Sequence, residues 1–173
     1  MYYIRKLSNK ANLLKIKAAQ DIKLLDADIL KQELGTTGNT LSFWKCDDLE
    51  NTDDAIKAIL LSTTGIATSQ FFIINDEVVK KYGLLMDDTE LGVTGYRGHE
   101  NLHVNMVKLN YAKIGTILEM LKEVFQHPEY TPKLEKSKVK ERILEVKKQG
   151  LLNEANMQEQ LVKDVEKYCP ISV

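Results

Sequence analysis

Thr40-Leu41-Ser42-Phe43-Trp44, Asp53-Asp54-Ala55-Ile56-Lys57-Ala58-Ile59-Leu60 and Phe71-Phe72-Ile73-Ile74 are the segments whose reading decides the fold. The first sets β-branched and aromatic side chains at period two and runs into Cys46-Asp47-Asp48, so it reads as a strand with a polar stop. The second carries Ala55, Ile56, Ile59 and Leu60 on one helical face, with Asp53 and Asp54 in the first turn, where the macrodipole favours negative charge. The third is apolar throughout and ends in Asn75-Asp76. An uninterrupted apolar run is what a strand covered on both faces requires. Strand, helix and buried strand in that order predict a βαβ unit with a right-handed crossover.

Tyr2 to Leu7 alternates apolar and polar residues and reads as a further strand. The expected fold class is therefore α/β, with a small, mainly parallel three-stranded sheet from Tyr2–Leu7, Thr40–Lys45 and Phe71–Ile74, flanking helices and a helical carboxy-terminal half. Asp26 or Asp28 can cap a helix through Ile29, Leu30, Glu33 and Leu34, which Gly35-Thr36-Thr37-Gly38 ends. The lysine-punctuated stretch Lys10 to Lys23 shows no clear period.

Downstream, Asp76 to Gly98 is rich in turn residues and predicts a long surface loop, with a short helix near Val78 to Tyr82. Tyr111, Ile114, Ile117, Leu118, Leu121, Val124 and Phe125 then fall on one helical stripe, stopped by His127-Pro128. Val139, Ile143 and Val146 mark a second amphipathic helix, and Met157, Leu161, Val165 and Tyr168 a third. A length of 173 residues suits one domain, 1–173, with an α/β part over 1–98 and a mostly helical part over 99–173 packed on it.

Composition excludes some functions. Lys+Arg of 24 against Asp+Glu of 25 leaves a formal net charge of -1, so no global basic field draws nucleic acid. No apolar stretch approaches the roughly 20 residues of a membrane span, and the start, Met1-Tyr2-Tyr3-Ile4-Arg5-Lys6, lacks a signal-peptide core; a cytoplasmic location without membrane contact is expected. The two cysteines, Cys46 and Cys169, form no zinc-knuckle spacing and are read as free thiols. The glycine-rich turns follow helices and lack the Walker lysine, so neither a P-loop nor a dinucleotide fingerprint is present.

Two local patterns carry chemistry. His99-Glu100-Asn101-Leu102-His103 resembles the zincin signature over five residues. On a helix, His99 and His103 would both reach one Zn²⁺, Glu100 would act as general base on the metal-bound water, and Glu119, Glu123 or His127 would be the available third ligand. Against that, Gly92, Gly95 and Gly98 crowd the approach, and Leu102, Val104 and Met106 also alternate as a strand does. The second pattern is acidic. Asp47, Asp48, Asp76 and Glu77 follow two predicted strands, where they either cap the next helices or bind a hard cation such as Mg²⁺.

The function expected from this balance is non-catalytic binding to another protein, as an accessory subunit of a bacterial multiprotein system of antitoxin, immunity or defence type. Richness in Lys, Asn and Ile suggests the bacterial context. Leu151, Leu152, Met157, Leu161 and Val165 either cover the sheet or offer a partner groove or homo-oligomer seam through the carboxy-terminal helices. No cofactor is expected on this reading. The alternative is a metal-dependent hydrolase with Zn²⁺ on His99 and His103 and Glu100 as its base.

Overall fold

The structure is a computed structural model that describes residues 1–8, 10–21 and 24–170, with the backbone alone for Lys10 and Leu30. The end of the Lys10 to Lys23 stretch and the side chain of Leu30 thus lie outside the described residues. The strands are β1 (Tyr2–Lys6), β2 (Leu41–Cys46), β3 (Ser69–Asn75), β4 (Leu85–Asp87), β5 (His103–Val107) and β6 (Lys133–Leu134). The helices are α1 (Lys10–Ala18), α2 (Ala27–Glu33), α3 (Asp53–Leu60), α4 (Asp76–Lys81), α5 (Tyr111–Val124), α6 (Lys136–Lys148) and α7 (Glu159–Tyr168).

The strands form one six-stranded sheet in the order β4-β5-β2-β1-β3-β6. Every neighbouring pair is antiparallel, which overturns the small parallel sheet expected from the sequence. The cause is the place of β1. Ile4 pairs with Trp44 on one side and with Ile73 on the other, so β1 lies between β2 and β3 and runs against both. Strands β2 and β3 consequently point the same way, and α3 crosses between them while skipping one position. Periodicity identified the crossover, but period-two alternation cannot say which strand fills the gap. Two further strands, β5 and β6, enter the sheet from the half expected to be mostly helical.

Helices cover both faces. Tyr3, Phe43, Phe72 and Ile74 point into one core with α1, α2, α4 and α5. Ile4, Trp44, Phe71 and Ile73 point into the other, with α3, α6 and α7. Successive residues of a strand face opposite ways, so Phe71-Phe72-Ile73-Ile74 has to be apolar throughout. Within the first core Phe72 meets Phe43 and Phe125 edge-on, with ring centroids 5.8 and 5.7 Å apart. Tyr111, expected on the apolar stripe of α5, is instead 98% exposed at its first turn, where Asn110 caps the helix by accepting from Lys113 N.

The segment between β4 and β5 is anchored along its length. Thr94 is fully buried and donates its hydroxyl to Ala58 O at 2.7 Å. Gly95 N donates to Leu61 O, Asn153 N to Gly95 O and Arg97 N to Leu151 O. The segment thereby stitches α3 to the turns before α7.

Candidate functional site

At the carboxyl end of β2, a cleft of about 440 Å³ opens between the start of α3 and a 3₁₀ turn at Glu100–Leu102; Cys46, Asp47, Asn51, Asp54, His99 and Asn101 are among its lining residues. Tyr96 donates its hydroxyl to Asp54 Oδ1 at 3.0 Å and stacks face to face on His99, with centroids 3.7 Å apart. Burial, the bond to Asp54 and that carboxylate's charge push the Tyr96 phenol up to about 12, so it stays a donor. His99 Nδ1 lies 3.1 Å from Arg97 O and must carry a proton to bond there. Its Nε2 faces Asp54 Oδ2 at 3.8 Å, an ion pair only when the ring is protonated. Cys46 lines the same cleft and is buried. Burial and the nearby Asp48 raise its thiol to about 11, and its Sγ donates to Asp48 O.

The two histidines of the pentapeptide have separate tasks. The helix that a zincin pair requires is absent: residues 100–102 form a single 3₁₀ turn and His103 begins β5. His103 meets Trp44 edge-on at 5.5 Å, and its Nδ1 donates to Glu90 O at 3.2 Å. Glu100 accepts from Gly92 N through its backbone carbonyl. The third-ligand candidates lie elsewhere. Glu123, on α5, binds Lys81 and Tyr82, and His127 sits beside Glu129 and Tyr130. Helix α5, which also carries Glu119, packs on the opposite face of the sheet from the cleft's α3. Among the described residues no group of three or more His, Cys, Asp or Glu is placed to hold a metal ion.

The acidic strand ends are split by β1. Asp48 folds into its own loop, accepting from Glu50 N, Asn51 N and Asn51 Nδ2. Asp76 accepts from the Tyr3 hydroxyl and pairs with Lys80, while Asn75 caps α4 by accepting from Val78 N. Two strand spacings, roughly 10 Å, separate the β2 and β3 ends. Asp48 thus forms a turn, and Asp76 and Glu77 sit in the first turn of α4.

The carboxy-terminal helices turn their apolar residues inward. Leu161 and Val165 are buried at 0% and 1% exposure, and Leu151, Leu152 and Met157 pack on the same core. Among the apolar side chains that reach solvent, Leu85 on β4 is 51% exposed, and Leu91 and Val93, in the segment that follows β4, are each 71% exposed. They project from a fixed frame. Gly92, between the last two, leaves no room for a side chain, since a Cβ there would lie 2.6 Å from His103 Cβ and 2.7 Å from Trp44. Asn105 Nδ2 and His103 both hold Glu90. Strand β4 pairs only with β5, so its outer edge is open among the described residues.

Asp54, Tyr96 and this ridge escaped the sequence reading. Asp54 was legible only as first-turn charge and Tyr96 only as a loop residue, whereas Leu91-Gly92-Val93, an apolar pair in a turn-rich segment, was a signal that could have been used. No family model matches the chain, and no curated protein or solved structure is significantly similar to it. No helix among the described residues is long and apolar enough to cross a membrane.

Proposed function

We propose that the protein is a non-catalytic binding subunit, an accessory component of a bacterial multiprotein system, that docks a partner protein on the β4 edge. The observation that carries this reading is the exposure of Leu91 and Val93 on either side of the tightly packed Gly92, with Leu85 exposed on the unpaired edge strand β4. An open edge offers main-chain donors and acceptors to an added strand, and adjacent apolar side chains supply the burial that makes such pairing favourable. Natural edges are ordinarily blunted by short length, charge, proline or bulges; β4 is three residues long and ends in Asp87, so it offers only a short stretch of edge. Asp87 ends β4 and Asp88 is already paired with Lys45, so the partner segment that fits is extended, apolar at alternate positions and carries a Lys or Arg opposite Asp87.

The test is quantitative capture from cells of the source with wild type, Leu91→Ser/Val93→Ser and His99→Ala as baits, with light scattering on each bait. A protein retained by wild type and His99→Ala but lost by the double variant supports the ridge. Equal retention by all three baits, or a homodimer that the double variant dissociates, overturns it.

A further inference from the structure

Helix α6 buries Val139, Ile143 and Val146, and its two carboxylates are committed, Glu141 to Lys138 and Glu145 to Lys57. A separate flank carries Lys136, Lys140 and Lys147, spaced so that all three stand on one side of the helix. That flank meets the end of α7. The ammonium groups of Lys136, Lys140 and Lys167 lie 5.0, 4.4 and 4.9 Å from the centroid of the Tyr168 ring, and Lys147 donates to Cys169 O at 3.1 Å. Lys136 and Lys167 are exposed, and Lys140 and Tyr168 are half-buried.

Four cations thus gather at one place, and no carboxylate among the described residues pairs with any of them at ion-pair distance. Asp164 acts on Lys136 and Lys167 through its charge alone, since its oxygens accept from Ile66 N and Gln160 Nε2. An aromatic ring attracts a cation to either face, but it has only two, so at least two of the three ammonium groups share one. Those two repel each other, and the single charge of Asp164 leaves the group net positive. An anion arriving from outside relieves the repulsion.

We propose that this patch docks an acidic segment of a partner protein, whose Asp or Glu side chains reach Lys136, Lys140 and Lys167 around the Tyr168 ring. Lysine ammonium groups are point charges on long stems and accept carboxylates from several directions. Lys136 and Lys140 stand one turn apart, so a helix with carboxylates at i and i+4 matches their spacing. The faces of Tyr168 are taken by cations, which leaves no bare platform for a nucleobase to stack on. Helix α6 follows β6, at the opposite end of the sheet from β4, so this surface is independent of the β4 edge.

The experiment is a fluorescence-anisotropy titration of labelled octaglutamate with the full chain at low ionic strength, where surface charges are least screened. Lys136→Gln/Lys140→Gln is expected to weaken binding about tenfold, whereas Lys138→Gln/Lys148→Gln, which removes the same charge from the other side of α6, should change it by less than about twofold. Labelled single-stranded oligothymidylate is the second probe and should bind more weakly than octaglutamate. No binding of octaglutamate, or equal binding by the two double variants, overturns the proposal. Tighter binding of oligothymidylate also overturns it and makes the patch a nucleic-acid surface.

Discussion

Phe71→Ala and Phe72→Ala, made separately, test the three-layer architecture at its centre. The two rings are adjacent in sequence, both on β3, and 0% and 1% exposed, yet they belong to different cores. In a sheet covered on one face, one of two consecutive residues is solvated and its truncation is nearly silent. Here both remove a buried aromatic ring, and each should cost about 3–5 kcal/mol through lost transfer energy and the cavity left behind. Phe72 also makes edge-on contacts with Phe43 and Phe125, and such pairs add about 0.5–1.5 kcal/mol beyond area, so Phe72→Ala should be the worse of the two. For a chain of this length the expected fall in thermal midpoint is about 6–20 °C for each variant. Urea denaturation followed by far-UV circular dichroism measures the difference directly, with an unchanged m-value as the check on two-state behaviour. A loss below about 1 kcal/mol for Phe71→Ala would show that α3, α6 and α7 do not seal the second face, and the layer assignment would fail.

Gly92→Ala should destabilise by about 1–3 kcal/mol, since the new Cβ meets His103 Cβ and Trp44, and a neutral result in the same assay would mean the ridge frame is soft. Lys57, buried between Asp53 at 2.7 Å and Glu145 at 3.0 Å, should tolerate Lys57→Met within about 1 kcal/mol, because Asp53 keeps Arg142 and Glu145 regains water; the double variant Asp53→Asn/Glu145→Gln strands the ammonium and should cost about 3 kcal/mol in chemical denaturation. Burial alone would raise Asp53, but Lys57 and Arg142 outweigh it and hold the carboxyl below its usual value. Its contribution is thus present above about pH 4 and is lost as pH falls through the lower folded value, so Asp53→Asn should flatten the acid branch of stability against pH. Tyr96 is shifted the other way: its contribution is complete below about pH 10 and is lost as pH rises towards about 12, and Tyr96→Phe should flatten the alkaline branch.

Local order was legible in the sequence wherever one side chain's neighbours are set by its own element. Strand β2, helix α3 and strand β3 fall where period and capping place them, and the apolar run at Phe71–Ile74 correctly signalled a sheet covered on both faces. Pairing was not legible. Tyr3 and Ile4 are both buried, which marks β1 as central, but its alternation with Arg5 and Lys6 imitates a half-exposed strand. Arg5 is accommodated next to the core by the Ser42 and Glu33 carbonyls and the Glu33 carboxylate, partners that only the sheet and α2 together bring to it. Strands β4 and β6, of three and two residues, are too short for any period to register.

The histidine pentapeptide shows why a motif has to be read with its backbone. Spacing of i and i+4 brings two imidazoles together only on a helix; on a turn followed by a strand it sends each ring to its own neighbours. His99 is taken up by Tyr96 and Asp54, and His103 by Trp44 and the Glu90 carbonyl. That second set of contacts holds the backbone beside Leu91 and Val93, so a histidine that the sequence offers as a metal ligand packs the segment leading into β5. A packing residue and a metal ligand respond differently to substitution. His103→Gln retains a donor for the Glu90 carbonyl and should preserve partner capture, whereas His103→Ala leaves Glu90 held by Asn105 Nδ2 alone and should weaken capture through partial loss of preorganisation in Leu91 and Val93, with metal content unchanged in either variant.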